Sequence, residues 1–175
     1  MTFLKRFFRH VWMSPIQVRR AYPKATLAAI EAAIKASEEN HRGQLRFVVE
    51  AELTTAQLWA GTNARQRAVD VFSAMRVWDT AENNGVLIYV LLADRKVEIV
   101  ADRGIEQLVG QQRWRAICKE LEHHYRKGDF VAGSVTSIEK ICAELTHYFP
   151  AKEDDDANEL KRARRNEQPD KPIII

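Results

Sequence analysis

The 175-residue sequence has few of the residues that build disulfide-stapled or membrane-spanning folds. Its two cysteines, Cys118 and Cys142, each lie among apolar residues at helical spacing, so we expect two buried thiols rather than a disulfide. It has no run of eighteen apolar residues, so no transmembrane helix is predicted, and its N-terminus lacks the apolar core of a secretory signal. These absences predict a cytoplasmic protein.

The motifs of several enzyme and nucleic-acid-binding classes are missing as well. The sequence has no Gly-rich phosphate loop, no nucleophile elbow and no Cys/His tetrad for zinc. Its formal charge of +3, from 27 basic and 24 acidic residues, is too small and too mixed to predict a surface that binds a phosphate backbone. Basic and aromatic residues do not combine into a stacking platform on one strand, so no nucleic acid partner is predicted.

Acidic residues are missing from the first thirty positions, where the chain is basic and amphipathic. Residues 1–22 form this segment, which mixes apolar side chains such as Phe8 and Trp12 with basic ones such as Lys5. Residues 1–20 predict contact with an anionic membrane surface, where each basic residue contributes about 1 kcal/mol and aromatic rings suit the headgroup layer. This reading places the protein at the periphery of the inner membrane. The alternative is an N-terminal helix that packs on its own domain.

The last part of the chain is poor in apolar residues. Residues 151–175 run acidic, then basic, then contain proline, with almost no apolar residue before Ile173. Such a composition is typical of a disordered charged tail. One folded domain is therefore expected over residues 23–150.

Hydrophobic periodicity predicts the elements of this domain. Spacings of three and four predict a helix over residues 24–41, and alternation predicts a strand from Leu45 to Ala51 with one buried face. Thr62 or Asn63 can cap a second helix. The apolar stripe predicted for that helix comprises Ala68, Val71, Phe72, Met75 and Trp78.

The second half of the domain contains the most apolar segment. Val86 to Leu92 is apolar at every position, which predicts a central strand buried on both faces. A short link to the alternating stretch 96–100 predicts an antiparallel hairpin, and two further helices follow over residues 114–125 and 131–149. A helix between the first strand and the central one makes them parallel. The predicted fold is α/β, a three-layer α/β/α sandwich on a small mixed sheet.

Both predicted parallel strands end in acidic residues, at the edge where α/β proteins bind ligands. Glu50, Glu52 and Asp94 are candidate ligands of a hard divalent cation, Ca²⁺ or Mg²⁺, because clustered carboxylates repel each other unless a cation or proton intervenes. The alternative is that each acid caps a strand in water and that Asp94 with Arg95 makes a polar turn.

Other polar residues are candidates for the same region or for the far edge. Glu38 and His41 lie one turn apart at the end of the first helix and could reach the cation site, although such residues more often contact the helix dipole. Asp102 and Arg103 follow the antiparallel strand and are expected at the opposite edge from Asp94.

Several short motifs resemble the TPM domain family, which includes plant thylakoid lumen and photosystem II repair proteins and many bacterial proteins. The similarity spans roughly residues 24–149 and is concentrated between residues 67 and 145. The motifs that carry it are Trp78, Asn84-Gly85-Val86-Leu87, Asp94-Arg95-Lys96-Val97-Glu98-Ile99, Gly104-Ile105-Glu106, Phe130 and Ala132-Gly133.

The resemblance implies an α/β/α sandwich and several functions. Some members look like acid phosphatases, some bind calcium at the strand ends, and others assemble or modulate membrane complexes. Asp94 and Arg95 match the family's charged strand end, whereas Ala93 stands where many members have a further Asp. Asp102 and Arg103 stand where members have Gly and an aromatic residue, and with Asn84 they are further candidate binding residues.

Two functional hypotheses follow. The first is a binding or assembly module that acts near the membrane with a protein partner or a membrane complex. The second is a metal-dependent phosphomonoester hydrolase, in which Asp94 and Glu50 hold the cation, Arg95 clamps the phosphate and metal-bound water attacks.

Overall fold

The computed structural model describes residues 2–151 and 168–175, which form a mixed α/β fold. The strands are β1 (Gln44–Glu50), β2 (Gly85–Leu91), β3 (Lys96–Ala101) and β4 (Ile173–Ile174). The described residues also form eight helices: α1 (Phe3–Val11), α2 (Pro15–Ala21), α3 (Lys24–Ser37), α4 (Thr55–Trp59), α5 (Ala64–Ala74), α6 (Arg103–Val109), α7 (Gln111–Arg126) and α8 (Phe130–Tyr148). None of the helices in these two ranges is long and apolar enough to cross a membrane.

The four strands form an open sheet in the order β3-β2-β1-β4. β1 and β2 are parallel, with Gln44 opposite Gly85 and Glu50 opposite Leu91. β2 and β3 form an antiparallel hairpin, with Leu91 opposite Lys96. The predicted parallel pair and the predicted hairpin are both confirmed.

Helices cover the sheet on both faces, which confirms the predicted three-layer sandwich. Side chains of α3, α7 and α8 pack on one face in a core cluster that includes Ile30, Ile117 and Ile141. Helices α4 and α5 pack on the other face, through Leu58, Val71 and their neighbours. Because β2 is central, all seven of its residues are buried. The apolar run in the sequence exists because both faces of this strand contact helices.

The predicted cap gives the correct start of α5, but the predicted apolar stripe extends beyond the end of the helix. Asn63 caps the helix as predicted, since its side chain accepts a hydrogen bond from Gln66 N–H at 2.9 Å and Gln66 bonds back to Asn63 N–H. Ala68, Val71 and Phe72 are buried as expected. Trp78 is not, because α5 ends at Ala74 and leaves the indole 48% exposed in the following loop.

The first strand is more buried than its alternating sequence predicts. Every residue of β1 is buried, since its alternate side chains enter the two core clusters on opposite faces of the sheet, Phe47 and Val49 in one and Val48 in the other. Its two edges are paired with β2 and, at Val48 and Val49, with β4. The polar side chains of β1 find partners, and the Arg46 guanidinium donates to the Pro169 carbonyl. The prediction of one buried face was therefore wrong.

The end of the chain also differs from its prediction. Residues 152–167 of the predicted disordered tail lie outside the described residues. Residues 168–175 are described, and Ile173–Ile174 add the strand β4 to the edge of β1. The Ile175 amide donates to the Val49 carbonyl at 2.9 Å, and the Ile175 carbonyl accepts from the Ala51 amide at 3.1 Å. The apolar C-terminus thus covers a sheet edge that would otherwise be open.

Candidate functional site

The carboxyl ends of β1 and β2 meet at one edge of the sheet, here called the carboxyl edge. The Leu92 amide donates to the Glu50 carbonyl at 3.0 Å, and the Ala93 amide donates to the Ala51 carbonyl at 3.0 Å. Asp94 follows directly. The prediction that Glu50 and Asp94 lie at the same edge is confirmed.

Glu50 is the centre of a buried polar cluster. Its carboxylate accepts a bidentate pair of hydrogen bonds from Arg67, from Nε to Oε2 at 2.9 Å and from Nη2 to Oε1 at 2.9 Å. The Tyr89 hydroxyl donates to Oε2. Burial raises the pKa of Tyr89 well above its usual range, and the hydrogen bond to Glu50 raises it further. The hydrogen bond that Arg67 donates to Glu50 likewise raises the pKa of Arg67. This cluster is therefore a closed ion pair between β1, β2 and α5.

Glu52 does not join that cluster. Its side chain is exposed, and it has no hydrogen bond or ion pair within residues 2–151 and 168–175. Of the three predicted cation ligands, Glu52 is thus the one in water.

Asp94 is enclosed by three side chains from α1. Arg6 donates from Nε and Nη2 to Asp94 Oδ2 at 3.0 and 2.8 Å, and Arg9 Nη2 donates to Oδ1 at 2.9 Å. His10 Nε2 lies 3.1 Å from the same oxygen. Only 9% of the Asp94 side chain is exposed. We refer to Asp94 with Arg6, Arg9 and His10 as the Asp94 latch, because it fastens α1 to the sheet.

The hydrogen bonds of His10 define its tautomer. The Leu53 amide donates to His10 Nδ1 at 2.9 Å, so Nδ1 is an acceptor and carries no proton. The proton of the neutral ring is then on Nε2, which donates to Asp94. His10 is 2% exposed and bridges α1 to two loops of the carboxyl edge.

The latch determines the ionisation of Asp94. Burial by itself would raise the pKa of this carboxyl group. The hydrogen bonds from His10 and Arg6, together with the Arg6 charge, outweigh burial and hold the pKa of Asp94 well below its usual range. Asp94 is therefore a buried carboxylate that depends on the side chains of α1 to remain ionised.

The carboxylates do not fit a divalent cation in this arrangement. Both oxygens of Asp94 and both oxygens of Glu50 already accept hydrogen bonds from arginines. Within the two described ranges, no group of three or more His, Cys, Asp or Glu side chains is arranged to hold a metal ion. Binding of Ca²⁺ or Mg²⁺ remains a prediction, and it would require Asp94 to exchange its partners on α1.

Arg95 occupies the turn between β2 and β3, next to Asp94. Its backbone φ of 54° lies in the left-handed region, which is uncommon for a residue other than glycine. The side chain is exposed and makes no hydrogen bond or ion pair with any described residue. The predicted catalytic pair is thus divided, since Asp94 is bound by α1 while Arg95 is free to meet a ligand.

The remaining predicted site residues lie at the opposite edge of the sheet. They are Glu38, His41, Asn84, Asp102 and Arg103, and they flank the starts of β1 and β2 and the end of β3. The expectation that Glu38 and His41 reach the region of Asp94 was wrong, because α3 runs into the amino end of β1.

Several polar side chains at this opposite edge make hydrogen bonds that stabilise the local backbone. His41 is buried, with Nδ1 3.1 Å from the Gly43 carbonyl, and Asn84 Nδ2 donates to the Arg42 carbonyl at 3.0 Å. Asp102 caps α6 by accepting from the Arg103 amide at 2.7 Å, and the Arg103 side chain is exposed.

The orientation of α1 reverses the usual arrangement of an amphipathic helix. Arg6, Arg9 and His10 contact Asp94 and Phe7 packs against the core, whereas Leu4 is 65% exposed and Trp12, directly after the helix, is 73% exposed. Ile16, at the start of α2, is 76% exposed. Sequence reasoning missed Arg6, Arg9 and His10 as site residues, although their spacing of three and four places them on one side of a helix.

A cavity of about 1090 Å³ opens beside the latch, between α1–α2 and the turn that joins α7 to α8. Ala93 and Arg95 form its floor at the carboxyl edge, and Trp12 and Lys127 lie on facing walls. Of the predicted site residues, only Arg95 lines it.

Comparisons with known proteins agree with this architecture. A sequence model described as the TPM domain matches residues 23–144, a range that excludes α1 and α2. The chain is also similar to the BA42 protein from the psychrophilic bacterium Bizionia argentinensis, whose structure was determined by NMR. The two are 30% identical with a TM-score of 0.71, over 86% of this chain and 93% of that one. No protein with curated annotation matches the chain significantly.

Proposed function

The chain belongs to the TPM domain family, and from the orientation of its N-terminal helices we propose that it is a binding module that docks on an anionic membrane surface. In this proposal α1 and α2 contact the inner membrane from the cytoplasmic side. The α/β domain then presents its remaining surface to a protein partner or a membrane complex.

The observation that carries the proposal is the inverted α1. A helix that merely completed the core would bury its apolar side chains, yet Leu4 and Val11 are 65% and 50% exposed while His10 is buried. Of the apolar side chains of α1, Phe7 packs against the core. Exposed apolar patches of this kind are characteristic of protein or membrane contact sites. The Asp94 latch keeps that patch outward, because turning α1 over would leave Asp94 buried without partners.

Aromatic side chains extend the apolar patch. Phe3 and Trp59 have ring centroids 5.1 Å apart, and those of Phe8 and Trp12 are 5.3 Å apart. Trp59 belongs to α4 and is 73% exposed, so the patch continues from α1 onto the folded domain. Indole and phenyl rings favour the headgroup layer of a bilayer, which suits a surface that lies on a membrane without crossing it.

Basic side chains supply the second attraction. Lys5, Arg19 and Arg20 are exposed, and no acidic residue precedes Glu31 in the sequence. Each exposed cation near an anionic leaflet contributes about 1 kcal/mol, and this contribution falls as salt is added. Apolar insertion and charge together give stable peripheral binding, which neither gives alone.

The alternative, a metal-dependent phosphomonoester hydrolase, is not favoured by any specific contact that the described residues make at the carboxyl edge. Glu50 and Asp94 would have to release Arg67 and Arg6 before they could hold a cation. The hydrolase stays a prediction, and it is tested by metal-dependent aryl phosphate hydrolysis that disappears in Asp94→Asn.

Co-sedimentation of the full chain with vesicles tests the proposal. We expect binding to phosphatidylglycerol–phosphatidylcholine vesicles, weakening with added salt, and little binding to phosphatidylcholine alone. Leu4→Ser/Ile16→Ser removes two exposed apolar side chains and should weaken binding at least tenfold, since each apolar side chain contributes about 1.5 kcal/mol when fully buried.

The matched control is Val69→Ser/Leu108→Ser. Its two side chains are 42% and 48% exposed, but they lie on α5 and α6, away from α1. The control should bind as the unmodified chain does. Equal loss in both double variants, or no binding of the unmodified chain to anionic vesicles, contradicts the proposal.

A further inference from the structure

The cavity beside the latch has the size of a ligand site. Its volume of about 1090 Å³ lies just above the range of about 300 to 1000 Å³ that is typical of small-molecule pockets. It is bounded by α1 and α2 on one side and by residues 122–130 on the other, with the end of β2 below. It therefore lies next to the exposed face of α1.

One part of the cavity wall is apolar. Phe8 contributes a ring from α1, Trp12 contributes one directly after α1, and Phe130 contributes one from the start of α8. Phe130 is held by Tyr125, with ring centroids 4.9 Å apart, and Leu92 extends the apolar wall from the sheet. A wall of this kind suits a hydrocarbon chain and gives a small hydrophilic ion little to bind.

The rest of the lining is strongly basic. It includes five basic side chains and one acidic side chain, Glu122. Glu122 already pairs with Lys96 at 3.3 Å and lies 3.9 Å from Arg126. Its charge is thus largely neutralised by Lys96, outside the cavity, and by Arg126, in the cavity lining.

Three of the basic side chains have no partner in the described part of the chain. Lys5, Arg95 and Lys127 come from α1, the β2–β3 turn and the α7–α8 turn, and none makes a hydrogen bond or ion pair there. Three separate elements therefore direct unpaired cations to one cavity. Charge complementarity favours an anion with several acceptor oxygens, such as a phosphate ester.

We infer that this cavity binds one molecule of an anionic phospholipid. The headgroup phosphate meets Lys5, Arg95 and Lys127, and an acyl chain lies along Phe8, Trp12 and Phe130. The inference rests on the proposed function, because it takes the lipid from the same surface on which α1 docks. The amphiphilic lining favours a lipid over free phosphate, since phosphate alone would leave the apolar wall in water.

The latch connects the cavity to the fold. Arg9 lines the cavity and also donates to Asp94, so the wall formed by α1 is fixed by a buried carboxylate. Arg95 is the residue after Asp94, and its left-handed backbone belongs to the tight turn beside the cavity. Loss of the latch should therefore disrupt the cavity as well as the orientation of α1.

Binding of a soluble short-chain lipid to the full chain tests the inference without a bilayer. We propose calorimetric titration with dihexanoyl phosphatidylglycerol below its aggregation concentration, compared with dihexanoyl phosphatidylcholine and inorganic phosphate. The anionic lipid should bind at least tenfold more tightly than either. Equal affinity for the neutral lipid, or phosphate binding as tight as the anionic lipid, overturns the inference, as does no binding of the anionic lipid.

Two variants identify the site. Arg95→Gln/Lys127→Gln should raise the Kd for the anionic lipid at least tenfold, a change equivalent to about 1.4 kcal/mol. The control Lys35→Gln/Lys119→Gln removes two exposed cations on α3 and α7 that do not line the cavity, and it should leave the Kd unchanged. Similar losses in both variants would mean non-specific charge attraction and would overturn the inference.

A third variant separates this inference from the proposed function. Leu4 and Ile16 do not line the cavity, so Leu4→Ser/Ile16→Ser should bind the soluble lipid normally while it loses vesicle binding. Vesicle binding with no soluble-lipid binding refutes the cavity alone. Soluble-lipid binding with no vesicle binding refutes membrane docking but supports the cavity.

Discussion

Two carboxylates at the same edge of the sheet use the same chemistry for different purposes. Glu50 and Asp94 are both buried, and both accept bidentate hydrogen bonds from an arginine. The partners of Glu50, Arg67 and Tyr89, lie inside the range that matches the TPM domain. The partners of Asp94 come from α1, which precedes that range. The Glu50–Arg67 pair joins layers of the core, while the Asp94–Arg6 pair attaches α1 to the sheet.

What the two carboxylates share shows that acidic residues at a strand end do not by themselves make a metal site. At each of the two positions an arginine supplies the positive charge that a cation would otherwise provide. If the comparison is right, damage to the Glu50 cluster should lower the stability of the whole domain. Damage to the Asp94 latch should mainly release α1.

The largest effect is expected for Glu50→Gln. It removes the charge of a carboxylate that is 7% exposed, which leaves Arg67 without its counter-ion and the buried Tyr89 hydroxyl without its charged acceptor. Breaking a buried pair in this way typically costs about 3 to 5 kcal/mol. We expect a loss of about 3 kcal/mol in the free energy of unfolding, measured by urea denaturation. The exposed Glu52→Gln should change it by less than about 0.5 kcal/mol. Equal losses in the two variants would mean that Glu50 is not part of the core.

A smaller and local effect is expected for Asp94→Asn. The neutral side chain leaves Arg6 and Arg9 unbalanced, and because both are partly exposed we expect a cost of about 2 kcal/mol. Hydrogen exchange should show loss of protection in residues 3–11 with little change in β2. Asp79→Asn, at an exposed position, is the control. Uniform loss of protection across the sheet would remove the distinction between latch and core.

Acid should cancel the effect of that substitution. The pKa of Asp94 is lower in the folded state than in the unfolded state, so its stabilisation is complete above the unfolded value of about 4 and is lost as pH falls below it. The difference in stability between the unmodified chain and Asp94→Asn should therefore shrink by about 1 to 2 kcal/mol between pH 6 and pH 2. A difference that stays constant over this range would mean that the carboxylate charge does not hold α1.

The smallest effect is expected for Arg6→Lys. Arg6 uses two nitrogens on Asp94 and also donates from Nη2 to the Thr62 carbonyl at 2.7 Å. A lysine keeps the charge but cannot reproduce this fork, so we expect protection of α1 to fall by about 1 kcal/mol. Arg19→Lys is the matched control, since Arg19 is exposed. If Arg6→Lys has no effect, charge alone accounts for the latch.

The sequence was sufficient for the parts of the fold that depend on local patterns. The uniform apolar run of β2, the hairpin to β3 and the cap at Asn63 all follow from short-range spacing. The position of Glu50 and Asp94 at one edge follows from the parallel crossover. These predictions needed only the order of the elements.

Long-range pairing accounts for most of what could not be predicted. Asp94 meets Arg6, Arg9 and His10 across more than eighty residues of sequence. An amphipathic pattern says which side chains share a helix face, but not which face is buried, and hydrophobicity favours the wrong face of α1. The burial of β1 on both faces was missed for a similar reason, since the second face is covered by α4 and α5, which the alternation within the strand does not reveal.

The ring of His10 gives the most direct test of the docked orientation of α1. In a ¹⁵N-labelled sample, with the signal assigned by His10→Gln, we predict an unprotonated Nδ1 that accepts from Leu53 and an Nε2–H that exchanges slowly with water. A ring that averages both tautomers and exchanges its proton rapidly would place His10 in solvent. That result would contradict a helix that buries its polar face and presents its apolar face outward.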